Sequence, residues 1–251
     1  MKEIRAFNIR IHPLCRTEFL SIIKSNLKDG NQVVQIGVNS ASINGLVKNG
    51  DFRRAVNNAD LVNVDGVSVV WALRFLGYKV PERVATPDLA DDILSMAQKE
   101  GYSIFMLGAK DSILFSCKKN LEAAYPKLKI AGYRNGYFKA EEESLIVDSI
   151  NEVKPDILFL GMPSPQKELF FEKYRHSLTA RYILGVGGYF DIISGFTKRA
   201  PLWVQKIGME WFHRFIQEPG RMWHRYMVGT SKFLGLVIKE KFRGNGLSAN
   251  Q

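Results

Sequence analysis

The chain has 251 residues, 46% hydrophobic and 24% charged, with a formal net charge of +10 at pH 7. This composition excludes a disordered chain, because enough apolar residues are present to build one large core. No apolar run approaches the ~20 residues of a membrane-spanning helix, and the N-terminal MKEIRAFNIRIHP lacks the apolar core of a signal peptide. We therefore expect a cytoplasmic protein, held at most to the inner face of a membrane.

Short apolar runs alternate with helical patterns along the chain. The runs are VVQIGV (33–38), LVNV (61–64), SIFMLG (103–108), LKIAGY (128–133), DILFLGM (156–162) and YILGVGG (182–188). Continuous apolar strands separated by helices are typical of a parallel sheet that is covered on both faces. We predict a doubly wound, Rossmann-like α/β core over residues 1–195, with a first strand and helix before residue 30.

Polar or glycine-rich turns follow three of these strands, at the edge of the sheet where such folds bind ligands. Asp65-Gly66 follows the second run, Pro163-Ser164-Pro165-Gln166-Lys167-Glu168 follows the fifth, and Gly185-Val186-Gly187-Gly188 ends the sixth. A carboxylate at the position of Asp65 suits a general base, a metal ligand or a ribose binder. It also suits a simple cap on the following helix.

The Gly185-Val186-Gly187-Gly188 turn lets backbone N–H groups approach an anion, and the helix after it, which carries Asp191, adds a favourable dipole. The dinucleotide fingerprint, the P-loop, the GxSxG elbow and metal-type histidine spacing are all absent. Cys15 and Cys117 have no CxxC partner, so we expect two buried thiols and no zinc site. The sequence therefore predicts that the protein binds phosphate or a nucleotide, with no cofactor and no protein-held metal.

The segment 196–251 differs from the rest and forms a predicted basic, aromatic appendage. It holds ten Lys/Arg against three Asp/Glu, hence +7, and nine Phe/Trp/Tyr. A surface both basic and apolar suits a membrane interface or a phosphorylated lipid, with nucleic acid, a second copy of the chain or simple packing on the core as alternatives.

Four residues spaced four apart predict one apolar helical stripe: Trp203, Ile207, Trp211 and Phe215. Three arginines flank the predicted break at 217–220 and suit either a phosphate clamp or a simply solvated helix surface: Arg214, Arg221 and Arg225.

Two long blocks resemble the bacterial WecG/TagA/CpsF glycosyltransferases, glycosyltransferase family 26. Residues 59–89, ADLVNVDGVSVVWALRFLGYKVPERVATPDL, are similar to that family's ADLv-x-x-DG-x-g-vv-x-a-x-x-x-lg-x-x-x-x-eRv-x-g-x-dl block. Residues 185–226 are similar to its GvGg-x-fd-x-x-sG-x-x-kRAP-x-w-x-q-x-lglEWlyRl-x-qeP-x-R-x-x-Ry block. With the alternation of strands and helices between them, the resemblance covers roughly residues 5–240.

The resemblance implies an inverting, metal-independent transfer from a UDP-sugar to a saccharide on a polyprenyl-pyrophosphate carrier, for a cell-surface polysaccharide. It makes Asp65 the proposed base and places Arg83 near the active site. It implies that the appendage closes over the site, holds the enzyme to the membrane and supplies Arg214, Arg221 and Arg225. It also argues against nucleic acid as a partner.

The chain departs from the family's pattern in places. Many relatives have TlNPE where this chain has Gly37-Val38-Asn39-Ser40-Ala41, so Asn39 is kept but Gly37 replaces the threonine. Lys167 falls where relatives have glutamine, while Glu168 matches, and the added cation suits an acidic sugar or another phosphate contact. These changes leave the sugar open. A nucleotide-binding oxidoreductase and a non-catalytic membrane-surface assembly protein remain the alternatives.

Overall fold

The computed structural model describes residues 2–206, 208–217 and 219–247, without the side chains at positions 202, 206, 214, 219, 221, 222, 224–228 and 244–247. The strands are β1 (Ile4–Ala6), β2 (Ile9–Ile11), β3 (Val33–Val38), β4 (Leu61–Val64), β5 (Ser103–Gly108), β6 (Lys129–Arg134), β7 (Ile157–Gly161) and β8 (Tyr182–Gly185). The helices are α1 (Arg16–Asp29), α2 (Ser40–Lys48), α3 (Gly50–Asn58), α4 (Val67–Phe75), α5 (Thr86–Glu100), α6 (Asp111–Ala124), α7 (Glu143–Val153), α8 (Gln166–Tyr174), α9 (Tyr189–Ile193), α10 (Leu202–Lys206), α11 (Glu210–Gln217) and α12 (Pro219–Leu247).

Six strands form one parallel sheet in the order β4-β3-β8-β7-β5-β6. Strands β3, β4, β5, β7 and β8 are almost wholly buried, as expected for a sheet that helices cover on both faces. One face packs against α2, α3, α4, α7, α8 and part of α12, and the other against α1, α5, α6 and α9. The doubly wound α/β prediction is therefore confirmed.

A strand and a helix do precede residue 30, as predicted, but that strand does not belong to the parallel sheet. β1 and β2 pair with each other as an antiparallel hairpin, outside the main sheet. Phe7 and Asn8 form the turn with φ of 56° and 60°. The hairpin docks beside the edge strand β4 through buried His12, whose backbone N–H donates to Val62 O and whose Nδ1 accepts from Val62 N, both at 2.9 Å. It protects the edge of the sheet instead of extending it.

The apolar stripe predicted on one C-terminal helix is also wrong. Gly208, with φ of +75°, separates α10 from α11, so Trp203 and Trp211 lie on different helices. Ile207 lies outside the described residues. Residue 218, within the predicted break over 217–220, lies outside the described residues, so that break stays a prediction.

The second half of α12 packs on the core. Phe233 and Val237 are buried, and the Phe233 ring lies 5.9 Å from that of Phe7. Asn44 Nδ2 on α2 donates to Gly229 O at 2.7 Å. Phe7 N donates to Glu240 Oε1 at 3.0 Å. In the described part of the chain, no helix has both the length and the apolar character that crossing a membrane requires.

Candidate functional site

Two adjacent cavities meet at the end of β4. The larger, about 660 Å³, lies over the carboxyl ends of β3, β4, β7 and β8. The smaller, about 330 Å³, lies between α4 and the C-terminal helices, and Trp71, Trp211 and Phe233 line it. Asp65 and Asn39 line both cavities. The structure thus brings these two predicted residues to the junction of two compartments.

Asp65 caps a helix, but not the one that follows it. Its Oδ1 accepts a 2.7 Å hydrogen bond from the backbone N–H of Thr86, the first residue of α5. This N–H is one of those that a helix leaves without an internal partner. No group in the described part of the chain hydrogen-bonds to the other oxygen, Oδ2. Asp65 is therefore oriented through one oxygen and exposes the other to the cavities.

An extended segment, residues 82–86, runs beside β4 and places two side chains next to Asp65. Buried Asn63 donates through Nδ2 to Val84 O at 2.8 Å, and Val84 N donates to Val64 O at 3.0 Å. Asn63 itself is held by Gln35, whose Nε2 donates to Asn63 Oδ1 at 3.0 Å. This buried polar chain fixes Arg83 and Thr86 near the end of β4.

Asn39 and Gly66 form the neighbouring wall. Asn39 is the N-cap of α2, and its Oδ1 accepts from the N–H groups of Ala41 and Ser42 at 3.0 and 3.1 Å. Its Nδ2 has no hydrogen-bond partner among the described residues and is available to a ligand. Gly66 lets the two turns approach, because a Cβ there would lie 2.9 Å from Asn39 Cβ.

Lys167 and Glu168 form a buried ion pair, of which Lys167 lines the larger cavity and the predicted binding residue Glu168 does not. The side chains of Lys167 and Glu168 are 9% and 1% exposed, and Nζ lies 2.6 Å from Oε1. Ser164 bonds to both, donating to Glu168 Oε1 at 2.7 Å and accepting from Lys167 Nζ. The Lys167 side chain packs directly against Gly185, because a Cβ at position 185 would lie 3.0 Å from Lys167 Cε. The added cation is thus balanced by an adjacent carboxylate.

Because Glu168 is buried, Lys167→Met should lower the free energy of unfolding by about 3–5 kcal/mol by leaving an uncompensated buried charge. Urea denaturation measures this difference. Lys167→Met combined with Glu168→Leu should recover most of the loss. Lys173→Met, which removes an exposed ammonium paired with Glu143, is the matched control and should change little. A Lys167→Met variant as stable as the parent chain would contradict the pairing.

The Gly185–Gly188 turn has fewer backbone N–H groups free to bind an anion than its sequence predicts. The N–H groups of Val186 and Gly187 both donate to Leu160 O, at 2.9 and 3.3 Å. Among the described residues, no backbone carbonyl accepts a hydrogen bond of this kind from the N–H of Gly188. Gly187 has φ of +53°. Gly185, Gly187, Gly188 and Asp191 all line the larger cavity, so the predicted residues do converge there.

Arg83 links Asp65 to the C-terminal segment. Its Nε donates to Asp65 O at 2.6 Å, and its Nη2 lies 2.8 Å from Glu210 Oε2, at the start of α11. The other oxygen of Glu210 lies 3.3 Å from Arg199 Nε, and Arg199 Nη1 lies 2.6 Å from Asp88 Oδ1 on α5. Burial raises the pKa of Glu210, but the charges and hydrogen bonds of the two arginines outweigh it and lower that pKa overall. This network, absent from the predicted site apart from Arg83, holds α11 over the cavities.

The remaining predictions concern the arginine clamp, the two cysteines and metal-binding side chains. The side chains of Arg214, Arg221 and Arg225 lie outside the described residues, so the predicted clamp stays a prediction. Cys117 is buried, which raises its pKa to about 12, but Cys15 is only half-buried at the start of α1, so one of the two expected buried thiols is not buried. Within the described residues, no three His, Cys, Asp or Glu side chains come together as a metal site.

Known proteins match nearly the whole chain. Residues 4–246 match the family described as the glycosyl transferase WecG/TagA/CpsF family. The N-acetylglucosaminyldiphosphoundecaprenol N-acetyl-beta-D-mannosaminyltransferase of Bacillus subtilis (strain 168) is 33% identical over 195 residues, covering 78% of this chain and 75% of the relative. The protein of the same name from Bacillus spizizenii (strain ATCC 23059 / NRRL B-14472 / W23) is 30% identical over 226 residues, 90% and 86% of the two chains. The chain therefore belongs to the WecG/TagA/CpsF family, and the protein is a glycosyltransferase.

Proposed function

We propose that the protein transfers a sugar from a UDP-sugar to a saccharide carried on a polyprenyl diphosphate, with inversion and with Asp65 as general base. The names of both relatives state transfer of an N-acetylmannosaminyl group to a diphosphoundecaprenol-linked N-acetylglucosamine. The observation that carries the proposal is the position of Asp65 at the junction of two cavities, with no described residue hydrogen-bonded to its Oδ2. Family membership gives no support to the oxidoreductase and assembly-protein alternatives.

The two cavities differ in the substrate that each suits. The larger has the sheet-end turns, Lys167 and Gly188 among its lining, which suits a nucleotide-sugar at the carboxyl ends of parallel strands. The smaller is walled by Trp71 and Trp211, which suits the lipid-linked acceptor because aromatic faces stack on sugar rings and contact apolar chains. We assign the donor to the larger cavity and the acceptor to the smaller.

This arrangement supports a single displacement. Asp65 Oδ2 takes the proton of the acceptor hydroxyl as that oxygen bonds to the anomeric carbon of the donor sugar. The bond from the anomeric carbon to the diphosphate oxygen breaks, and UDP leaves with the electron pair. Attack from the acceptor side, opposite the leaving group, inverts the anomeric centre.

Cationic groups are needed where the diphosphates lie. Arg83 lines the smaller cavity while paired with Glu210, which favours contact with the diphosphate of the lipid. Lys167 lines the larger cavity, on the side of the leaving UDP. We propose these two roles and assign further neutralisation to Arg214, Arg221 and Arg225.

A donor screen tests the proposed function. UDP release is measured with several UDP-sugars and a short-chain polyprenyl-diphosphate-linked N-acetylglucosamine, in Mg²⁺ and in EDTA. We expect acceptor-dependent release with one donor, at the same rate in EDTA. Release that needs no acceptor, or no release with any donor, would overturn the proposal, and loss in EDTA would overturn its metal-independent part.

Attachment to an anionic membrane surface is a separate part of the proposal. Phe212 and Ile216 are exposed, one turn apart on α11, and Trp203 is 66% exposed on α10. Basic residues of the same segment add attraction to anionic lipid, about 1 kcal/mol each near the surface. Because Phe233 and Val237 are buried in the core, deleting the appendage from residue 196 would also expose that core.

Substitution is therefore a cleaner test than truncation. Phe212→Gln with Ile216→Gln should weaken sedimentation with phosphatidylglycerol-containing vesicles by about tenfold or more, because two apolar side chains lose their burial in lipid. The control replaces two apolar residues on α6 and α7 that are at least as exposed, Phe115→Gln with Leu145→Gln, and should bind as the parent chain does. Equal binding by both double variants would exclude α11 from the membrane contact.

A further inference from the structure

Thr86 has a hydroxyl group that no part of the described protein uses. The residue is only 6% exposed, yet it lines the larger cavity. Its backbone N–H is bonded to Asp65 Oδ1, which fixes it beside the carboxylate. Among the described residues, no hydrogen bond is made by its Oγ1. A hydroxyl that lines a cavity and bonds to no described residue is available to a ligand as both donor and acceptor.

The hydroxyl lies where a side chain on β3 would otherwise stand. A Cβ built on Gly37 would overlap Thr86 Oγ1 and lie 3.1 Å from both Asn63 Nδ2 and Asp65 Cβ. Position 37 and position 86 therefore compete for one small volume next to Asp65. A side chain at position 37 requires that the hydroxyl of Thr86 turn away or be removed.

The resemblance to the family blocks implies the same exchange. The family blocks given above have threonine at the position of Gly37 and glycine at the position of Thr86, whereas this chain has them reversed. A threonine on α5 thus stands in the place of a threonine on β3. The hydroxyl is kept near Asp65, but it is presented from the opposite side of the volume.

We propose that Thr86 is a donor-binding residue whose hydroxyl bonds to a polar group of the transferred sugar, in the place that residue 37 occupies in relatives. The inference rests on the proposed function. The sugar ring is the part of a UDP-sugar that must lie within reach of Asp65, since its anomeric carbon reacts there. A hydroxyl fixed beside Asp65 therefore contacts the sugar and not the uracil.

The first test compares Thr86→Val, which keeps the shape and removes the hydroxyl, with Thr86→Ser, which keeps the hydroxyl. Thr86→Val should lower kcat/KM for the UDP-sugar by about tenfold or more, with the KM for the lipid-linked acceptor unchanged. Thr86→Ser should remain within about threefold of the parent chain. Equal donor kcat/KM for the valine variant and the parent chain would overturn the inference.

The second test uses the steric exchange, and its first readout, the melting temperature, does not depend on activity. Gly37→Thr should lower the melting temperature, and Gly37→Thr with Thr86→Gly should restore it and return donor kcat/KM to within about threefold of the parent chain. A Gly37→Thr variant that melts as the parent chain does would contradict the shared volume. Absence of transfer by the parent chain with every UDP-sugar would overturn the proposed function itself, whereas parental transfer with no effect of Thr86→Val overturns the inference alone.

Discussion

Asp65→Asn should lower kcat by about 10²- to 10⁴-fold, because an amide cannot take the proton of the acceptor hydroxyl. The substitution keeps an oxygen that can accept the hydrogen bond from Thr86 N, so the start of α5 stays capped and the fold is maintained. Single-turnover transfer of a radiolabelled sugar measures the chemical step, and UDP binding is measured separately. The KM for the donor should change by no more than about threefold.

A matched control separates the base from other carboxylates at the same edge of the sheet. Asp111 follows β5, lies outside both cavities and accepts from Asn135 Nδ2 at 3.0 Å. Asp111→Asn should retain the parental rate. An Asp65→Asn variant that keeps a rate within a few-fold of the parent chain would remove Asp65 from the base role.

Glu210→Gln should lower kcat/KM for the lipid-linked acceptor by about 10- to 100-fold, since hydrogen bonds to charged groups contribute about 1.5–3 kcal/mol each. The change weakens the ion pairs that Arg83 and Arg199 make with Glu210 on α11. Since Trp211 lies next to Glu210 on that helix, it also loosens the position of Trp211 in the lining of the smaller cavity. The KM for the UDP-sugar should be unaffected, because Glu210 does not line the larger cavity. Steady-state kinetics with each substrate varied in turn measures this difference.

The same pair predicts a pH dependence with a definite sign. The pKa of Glu210 is lowered in the folded protein, so its contribution to stability is fully present above its ordinary value of 4.5 and is lost as the pH falls through the lowered pKa. The difference in melting temperature between the parent chain and Glu210→Gln should therefore be constant at neutral pH and shrink in acid. Glu143→Gln, which removes the exposed partner of Lys173, is the control for kinetics and should leave the acceptor kcat/KM unchanged. An acceptor kcat/KM for Glu210→Gln equal to the parental value would show that the network does not hold the acceptor cavity.

The parallel sheet could be predicted because its buried strands are continuous apolar runs with helices between them. The hairpin β1–β2 could not, because its strands have three residues each and its turn uses non-glycine residues with positive φ. The stripe from Trp203 to Phe215 failed at Gly208, where periodicity alone gives no indication that the chain turns.

From the residues alone the site was predicted only as far as its residues follow strands, and Arg83 was added by the family resemblance. Asp65 and the Gly185–Gly188 turn stand at strand ends, which the sequence reveals. Thr86 and Glu210 were missed, because they reach Asp65 and Arg83 from 21 and 127 residues away in the chain. Only the fold brings such groups together. The exchange between Gly37 and Thr86 appears in the sequence as two unrelated changes and becomes one change when the shared volume is known.

The anomeric configuration of the product tests the central claim most directly. The proposed single displacement at Asp65, with donor and acceptor in separate cavities on either side, requires an α-linked UDP-sugar to give a β-linked product. Proton NMR of the lipid-linked disaccharide made from the UDP-sugar selected in the donor screen reads the configuration from the coupling or chemical shift of the anomeric centre. A β-linked product, absent when Asp65→Asn is used, is the predicted result. An α-linked product would contradict the single displacement and the role of Asp65 as its base.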